Sequence, residues 1–169
     1  YAQKENEIFA NLFVANKTRF TANKHEFQIE QETRYPWEGN IKFKFKSENP
    51  VKFNFKIRVP GWAVNKPVPG DLYAYMDEPV KEVRLFVNNE PVDFVTVNGY
   101  ISINKSWKDG DVVELVLPME TKKIIPNEKI SAIFGKVAIE RGPIVYCAEQ
   151  VDNPSGVLHK GINVQAAFT

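Results

Sequence analysis

From Ile41 to Val59, apolar and polar residues alternate almost without a break. Ile41, Phe43 and Phe45, then Val51, Phe53, Phe55, Ile57 and Val59, are separated by Lys42, Lys44, Lys46, Lys52, Asn54, Lys56 and Arg58. A period of two places successive side chains on opposite faces of an extended strand, so each strand has one face for a core and one for water. A helix, whose faces recur about every 3.6 residues, cannot sort these residues in that way. Ser47-Glu48-Asn49-Pro50 supplies a turn, and the expected local structure is an antiparallel hairpin.

The flanking segments carry weaker forms of the same signal. Phe27 and Ile29 alternate with Glu26, Gln28, Glu30 and Glu32, giving a strand with an acidic outer face. Opposite charges across neighbouring strands contribute about 0.2–1 kcal/mol per pair, so this strand is expected beside Lys42–Lys46. Pro36 and Gly39 make the segment from Arg34 to Asn40 the turn between them. Upstream, Ile8, Phe9, Leu12, Phe13 and Val14 form a more continuous apolar run, the pattern of a strand buried on both faces, and Phe20 extends that core. Downstream, strand signals at Glu82–Val87 and Pro91–Val97 flank Asn88-Asn89, residues that tolerate the positive φ of tight hairpin turns. Tyr100–Ile103 and Asp111–Leu117 form a further expected pair around Lys108-Asp109-Gly110, and Gly135–Glu140 with Pro143–Glu149 another around Arg141-Gly142. Residues 63–79, with Pro67, Pro69, Gly70 and Pro79, are expected as a long ordered loop.

About ten short strands with turn signals between them, and no long stretch at helical spacing, define the expected fold: all-β, a mostly antiparallel β-sandwich, jelly-roll-like in its pairing. The 169 residues suffice for one domain with a sizeable core, or for one domain and part of a second. The expected division is a sandwich over residues 1–125, a linker or crossover over 126–134, and further strands over 135–169 that complete the sandwich or start a second one.

Composition narrows the function. With 43% hydrophobic residues, 25% charged residues and a net charge of +1, the chain is an ordinary globular one. The stripe from Lys42 to Arg58 is basic, but its phenylalanines lie on the opposite face, so the stacking platform for single-stranded nucleic acid is missing. No apolar run approaches the roughly 20 residues needed to cross a bilayer. Neither nucleic acid nor a membrane is therefore an expected partner. The single cysteine, Cys147, follows the apolar run Pro143–Tyr146 and is expected as a buried thiol; alone it makes neither a disulfide framework nor a multi-cysteine metal site.

Acid–base cleavage of a glycosidic bond needs two carboxyl groups about 5–10 Å apart. Glu26, Glu30 and Glu32 share a strand face, but a solvated face paired to lysines accounts for them; Glu140 and Glu149 flank a turn with nothing to make them converge. A cysteine or serine nucleophile needs a histidine base, and the two histidines, His25 at a strand start and His159 in the tail, are expected at the surface. Glycines occur singly, in turns, so no phosphate-binding loop is present, and no cofactor is expected in this chain. Trp37, Trp62 and Trp107 each lie beside a turn. Tryptophan at a strand end commonly caps a core or an interface; the alternative is a platform for a sugar ring, for which Trp37 and Trp62 are the candidates.

Four landmarks stand in fixed order: TRYPWEGN (Thr33 to Asn40), RVPGWA (Arg58 to Ala63), SWKDGDVVELVLPM (Ser106 to Met119) and GKVAIERGPIVYCAEQVDN (Gly135 to Asn153). Together they resemble the region that follows the catalytic barrel in β-L-arabinofuranosidase-type glycoside hydrolases, a family once known only as a domain of unknown function. Tyr1 to Val14 is similar to that family's first strand after the barrel, and Pro60 to Tyr73 resembles an insertion of the branch found among polysaccharide-degrading gut bacteria. The resemblance implies that the chemistry lies upstream, in an α/α barrel where a glutamate and cysteines hold a zinc ion and one cysteine is the nucleophile. No position here matches those residues, and Cys147 falls in the landmark of a sandwich strand. What the resemblance implies for this chain is a non-catalytic sandwich that packs against the barrel and stabilises it, with Tyr73, Tyr75, Ile124 and Ile125 as the docking face. The alternative is a carbohydrate-binding module that contacts plant-type arabinan or other arabinose-containing glycans through Trp37 or Trp62. For the whole protein, a periplasmic or extracellular location is expected ahead of a cytoplasmic one.

Overall fold

The computed structural model of the chain describes residues 1–76, 81–157 and 161–163. The strands are β1 (Ala2–Lys4), β2 (Glu7–Ala10), β3 (Asn16–Ala22), β4 (His25–Thr33), β5 (Asn40–Lys46), β6 (Val51–Arg58), β7 (Tyr73–Tyr75) and β8 (Arg84–Val87). They continue with β9 (Glu90–Pro91), β10 (Thr96–Val97), β11 (Tyr100–Trp107), β12 (Val112–Val116), β13 (Thr121–Pro126), β14 (Ala138–Arg141) and β15 (Ile144–Tyr146). One sheet runs β1-β2-β6-β11-β10, a second β3-β4-β5-β12-β8-β9, and a third, smaller one β15-β14-β13-β7. Among the described residues every pairing is antiparallel except that of β2 with β6. The fold is all-β, as the alternation requires.

The first two sheets face each other across a core of aromatic rings. Phe45 on β5 stacks on Trp107 of β11 with centroids 4.1 Å apart, Phe43 meets Phe55 edge-on at 5.0 Å, and Phe27 of β4 stacks on Phe53 of β6 at 4.4 Å. Full burial of one such side chain stabilises by about 1.5–3 kcal/mol, and a slip of one residue would exchange phenylalanines for lysines, so the pattern fixes the register. On the outer face Glu32, Glu30 and Gln28 of β4 lie opposite Lys42, Lys44 and Lys46 of β5. The acidic strand thus sits beside the basic one; Lys44 bonds Glu32, and Lys17 and Lys46 reach Glu30 at 2.9 and 3.8 Å.

Two expected hairpins are instead arches between sheets. β5 is flanked by β4 and β12, and β6 by β2 and β11, so Ser47–Pro50 carries the chain from the second sheet to the first. The same holds for β11 and β12 around Lys108–Gly110. A period of two identifies the buried face of a strand but not the sheet it joins: two such strands satisfy it equally by pairing or by facing each other across a core. The hairpins with specific turn residues do form. β8 turns into β9 through Asn88 and Asn89 at φ of 53° and 67°, and β14 into β15 through Gly142 at 59°.

Three further expectations need correction. The apolar run near the start is not a strand buried on both faces: β2 ends at Ala10, and Leu12 and Val14 point outward from a crossing loop while Phe13 turns in. The proline-rich loop contributes β7, and the irregular stretch after Pro118 contributes β13, the two pairing through Ile124 with Tyr75 and Ile125 with Ala74. Cys147 is exposed rather than buried, because it follows β15, an edge strand whose Val145 and Tyr146 are also exposed.

Candidate functional site

The loops at one end of the sandwich carry both candidate tryptophans and the attachment of the third sheet. Trp107 is elsewhere: it is buried in the core, its indole N–H donating to the Phe53 carbonyl at 3.2 Å. Trp37 lies just beyond the cis Tyr35-Pro36 bond and is 64% exposed. Its backbone N–H donates to the Arg34 carbonyl at 2.9 Å, and its own carbonyl accepts from Arg141 Nη1 at 3.1 Å. A groove of about 620 Å³ runs beside it, lined also by Glu38, Asn40, Arg84, Pro118 and Arg141. Trp62, in a short 3-10 turn (Gly61–Val64), is half-buried, lies beside the Tyr35 hydroxyl, whose proton affinity it lowers against the effect of burial, and packs close to Gly142. The two candidates therefore do not form one platform. One indole is open and the other is occupied.

Under Trp62 lies a cluster that sequence reasoning missed. The β13–β14 register sets Lys122 opposite Glu140, and the β13–β7 register brings Tyr75 beside them. The Tyr75 hydroxyl donates to Glu140 Oε1 at 2.6 Å; Lys122 Nζ lies 4.7 Å over the Tyr75 ring and donates to Asn65 Oδ1 at 3.2 Å. Lys122 and Glu140 are each only 7% exposed. Burial raises the Glu140 carboxyl above its ordinary range, against the opposing pull of the Tyr75 hydrogen bond and the Lys122 charge. Burial likewise pushes the Tyr75 hydroxyl up, and its bond to Glu140 adds to the effect. The available signal was slight: two lysines in a run that had lost its alternation, and a glutamate beside a turn.

Glu120 and Glu140 line one cavity together with Trp62, Tyr75 and Lys122, an inventory that resembles a hydrolytic site. Its size decides against that chemistry. The cavity holds about 10 Å³, room for about one water, whereas ligand pockets run to about 300–1,000 Å³. The other carboxylates do not converge either: Glu26 and Glu149 are exposed, and Glu30 and Glu32 are paired to lysines. His25 is exposed at the start of β4, and His159 lies outside the described residues. Among the described residues no three histidine, cysteine, aspartate or glutamate side chains stand together so as to hold a metal ion; the zinc that the resemblance implies is expected in the upstream barrel, not on these residues. No helix among them is long and apolar enough to cross a membrane.

The sequence profile of the GH127 β-L-arabinofuranosidase middle domain matches residues 7–119, and that of the glycoside hydrolase family 127 C-terminal domain matches residues 121–169. The chain belongs to glycoside hydrolase family 127. The non-reducing end β-L-arabinofuranosidase of Bifidobacterium longum subsp. longum is 28% identical over 150 residues, covering 87% of this chain and 20% of that protein. A solved GH127 β-arabinofuranosidase superposes with a TM-score of 0.84 at 41% identity, over 89% of this chain and 24% of the other. A GH127 β-L-arabinofuranosidase from Geobacillus stearothermophilus T6 gives 0.76 at 33% identity, over 90% and 22%. The chain therefore spans 20% of the length of the curated relative it matches. The boundary between the two GH127 profiles falls at the base of β13, so the buried cluster joins them: Asn65 and Tyr75 come from the middle domain, Lys122 and Glu140 from the C-terminal one.

Proposed function

We propose that this GH127 segment is a non-catalytic module of a glycoside hydrolase that packs against, and stabilises, the helical catalytic barrel of the same polypeptide. The observation that carries this reading is the exposure of three large apolar side chains on two adjoining loops: Leu12 at 66%, Val14 at 64% and Trp37 at 64%. The loops are tied together by the Phe13 and Tyr35 rings, 5.4 Å apart and edge to face. Apolar side chains left open together mark a surface that another body covers. The docking face expected from sequence has less to recommend it, because Ile124 is buried and the Tyr75 hydroxyl is bonded to Glu140. For the whole protein, the β-L-arabinofuranosidase names of the relatives, one of them specified for the non-reducing end, support an exo-acting activity on arabinose-containing glycans; retention, with zinc and the nucleophile in the barrel, is our proposal from the sequence resemblance.

A second reading has its own observation. Trp37 presents an open indole beside a groove with Glu38, Asn40 and Arg84 as polar neighbours, the arrangement that stacking on a sugar ring requires. Tryptophan fluorescence titrated with arabinan oligosaccharides, and separately with the isolated barrel, separates the two. Saturable quenching by the barrel and none by sugar is expected; saturable quenching by sugar alone would replace the first reading with the second.

A further inference from the structure

Large apolar side chains exposed here and there on a protein need no explanation, but their segregation to one place does. Outside the third sheet and the segments that flank it, those exposed among the described residues are Leu12, Val14, Trp37, Val64, Val95 and Val97. All six lie at one end of the sandwich, past Ala10 and Arg58 and ahead of Asn40 and Tyr100. The strand registers define that end: Arg58 pairs with Tyr100, and Val116 with both Asn40 and Arg84. The opposite end carries the turns at Asn23-Lys24, Ser47–Pro50, Asn88-Asn89 and Lys108–Gly110, and among the described residues it exposes no large apolar side chain. A hollow of about 680 Å³ there is lined instead by groups such as Arg19, Lys24, Glu26 and Glu48.

The apolar end holds a second groove, of about 890 Å³, beyond the Leu12, Val14 and Trp37 face. Val64 and Val95 line it, 47% and 78% exposed, with Val83, Phe86, Val92 and Phe94 half-buried beside them. Lys81, Glu82 and Arg84 line both this groove and the one beside Trp37, so the two form one continuous trench. On the footing of the barrel docking proposed above, we infer that the barrel's contact runs the length of this trench, with one barrel helix seated by its apolar stripe in the groove of Val64 and Val95. The barrel that the resemblance implies is built of helical hairpins, and a helix enters an apolar groove through side chains three and four residues apart. The curated relative, of which the chain spans 20%, has polypeptide enough for such a body. The trench carries charges of both signs, Lys81 and Arg84 with Glu82 and Asp93, which suit the mixed polar flanks of a helix and give a uniformly charged partner no advantage.

Carbene footprinting read by mass spectrometry, on this chain alone and on the whole polypeptide with its barrel, provides the test. In the whole polypeptide, labelling of Val64, Phe94 and Val95 is expected to fall severalfold together with that of Leu12, Val14 and Trp37, while Arg19 and Lys24 at the opposite end stay labelled. Shielding of Leu12, Val14 and Trp37 with the groove still labelled overturns the seated helix and leaves the docking itself in place; no shielding at either site removes both. Shielding of the chain alone that grows with its concentration would assign the groove to a second copy, and shielding only by added arabinan oligosaccharides would assign it to a glycan; either result overturns the inference. Val95→Asp gives a second measurement. Val95 is a surface residue, so the variant chain alone is expected to keep its unfolding midpoint, while the whole variant loses the protection of Val64 and Phe94. A whole variant that keeps that protection overturns the inference, and if it fails to fold the unsubstituted footprint alone decides.

Discussion

Phe45 and Trp107 stack across the core with their planes 17° from parallel, although they belong to different sheets. Each sits just ahead of an arch, Phe45 before Ser47–Pro50 and Trp107 before Lys108–Gly110, so the contact closes both crossings at once. Trp107→Ala is expected to lower stability by about 3–5 kcal/mol in urea denaturation, and Trp107→Phe by clearly less because a ring remains to stack. A loss below about 1 kcal/mol for the alanine variant contradicts this role.

Asp111 is buried beside the second arch. It accepts from the Lys108 N–H at 3.0 Å, from Asn88 Nδ2 at 2.8 Å and from Lys105 Nζ at 3.2 Å. Burial alone would raise its proton affinity, but the bonds from Asn88, Lys108 and Lys105 outweigh it and hold the carboxyl below its usual 3.8. Its contribution is therefore complete above the unfolded value and lost as pH falls through the lower, folded one. Asp111→Asn is expected to be less stable at neutral pH by about 1–3 kcal/mol, with a flatter acid-unfolding curve below about pH 4, both read by circular dichroism.

Gly39 and Gly142 invert the usual rule for glycine. Gly142 has a positive φ, yet a Cβ there would meet the movable end of Met119, with Cε at 2.6 Å; at Gly39 it would collide with the backbone oxygen of Leu117. Leu117 N–H also donates to the Gly39 carbonyl at 2.9 Å, so neither segment can retreat without breaking the end of the β5–β12 ladder. Gly39→Ala is expected to cost about 3 kcal/mol and Gly142→Ala about 1–2 kcal/mol. The reverse order in thermal denaturation would show that backbone strain, not crowding, governs both sites.

Trp37 is placed to matter for association and not for folding. Trp37→Ala is expected to leave the stability of the chain within about 0.5 kcal/mol while weakening its binding to the isolated barrel by about 2 kcal/mol or more, roughly 30-fold. Titration calorimetry on the native and substituted chains checks this. Equal affinities would remove Trp37 from the interface.

The strands were legible wherever one face is wet. Ile41 to Val59 shows its buried side in the sequence itself, and the glutamates of β4 mark their lysine neighbours by charge. Which sheet each strand joins was not legible, because β5 and β6 meet face to face through Phe43 and Phe55 rather than through backbone bonds, and side-chain period carries no record of that choice. The two asparagines at 88 and 89 fixed their hairpin through a backbone requirement, so that turn could be read. At the candidate site, Trp37 and Trp62 were both visible as tryptophans beside turns, but only packing shows that one is open and the other half-buried against Tyr35 and Gly142. Lys122 and Glu140 were hidden for the opposite reason: charged residues read as solvated until a neighbouring sheet covers them.

The Ser47–Pro50 arch leaves strands of both facing sheets on either side of it: β1 to β5 before, β6 and β8 to β12 after. A nick between Glu48 and Asn49 would sever no strand, yet neither fragment would own either of the two facing sheets whole. Phe45 would travel with one piece and its partners Phe53 and Trp107 with the other. Severed there, the polypeptide is expected to become a complementation pair, two halves that complete the sandwich only in each other's company.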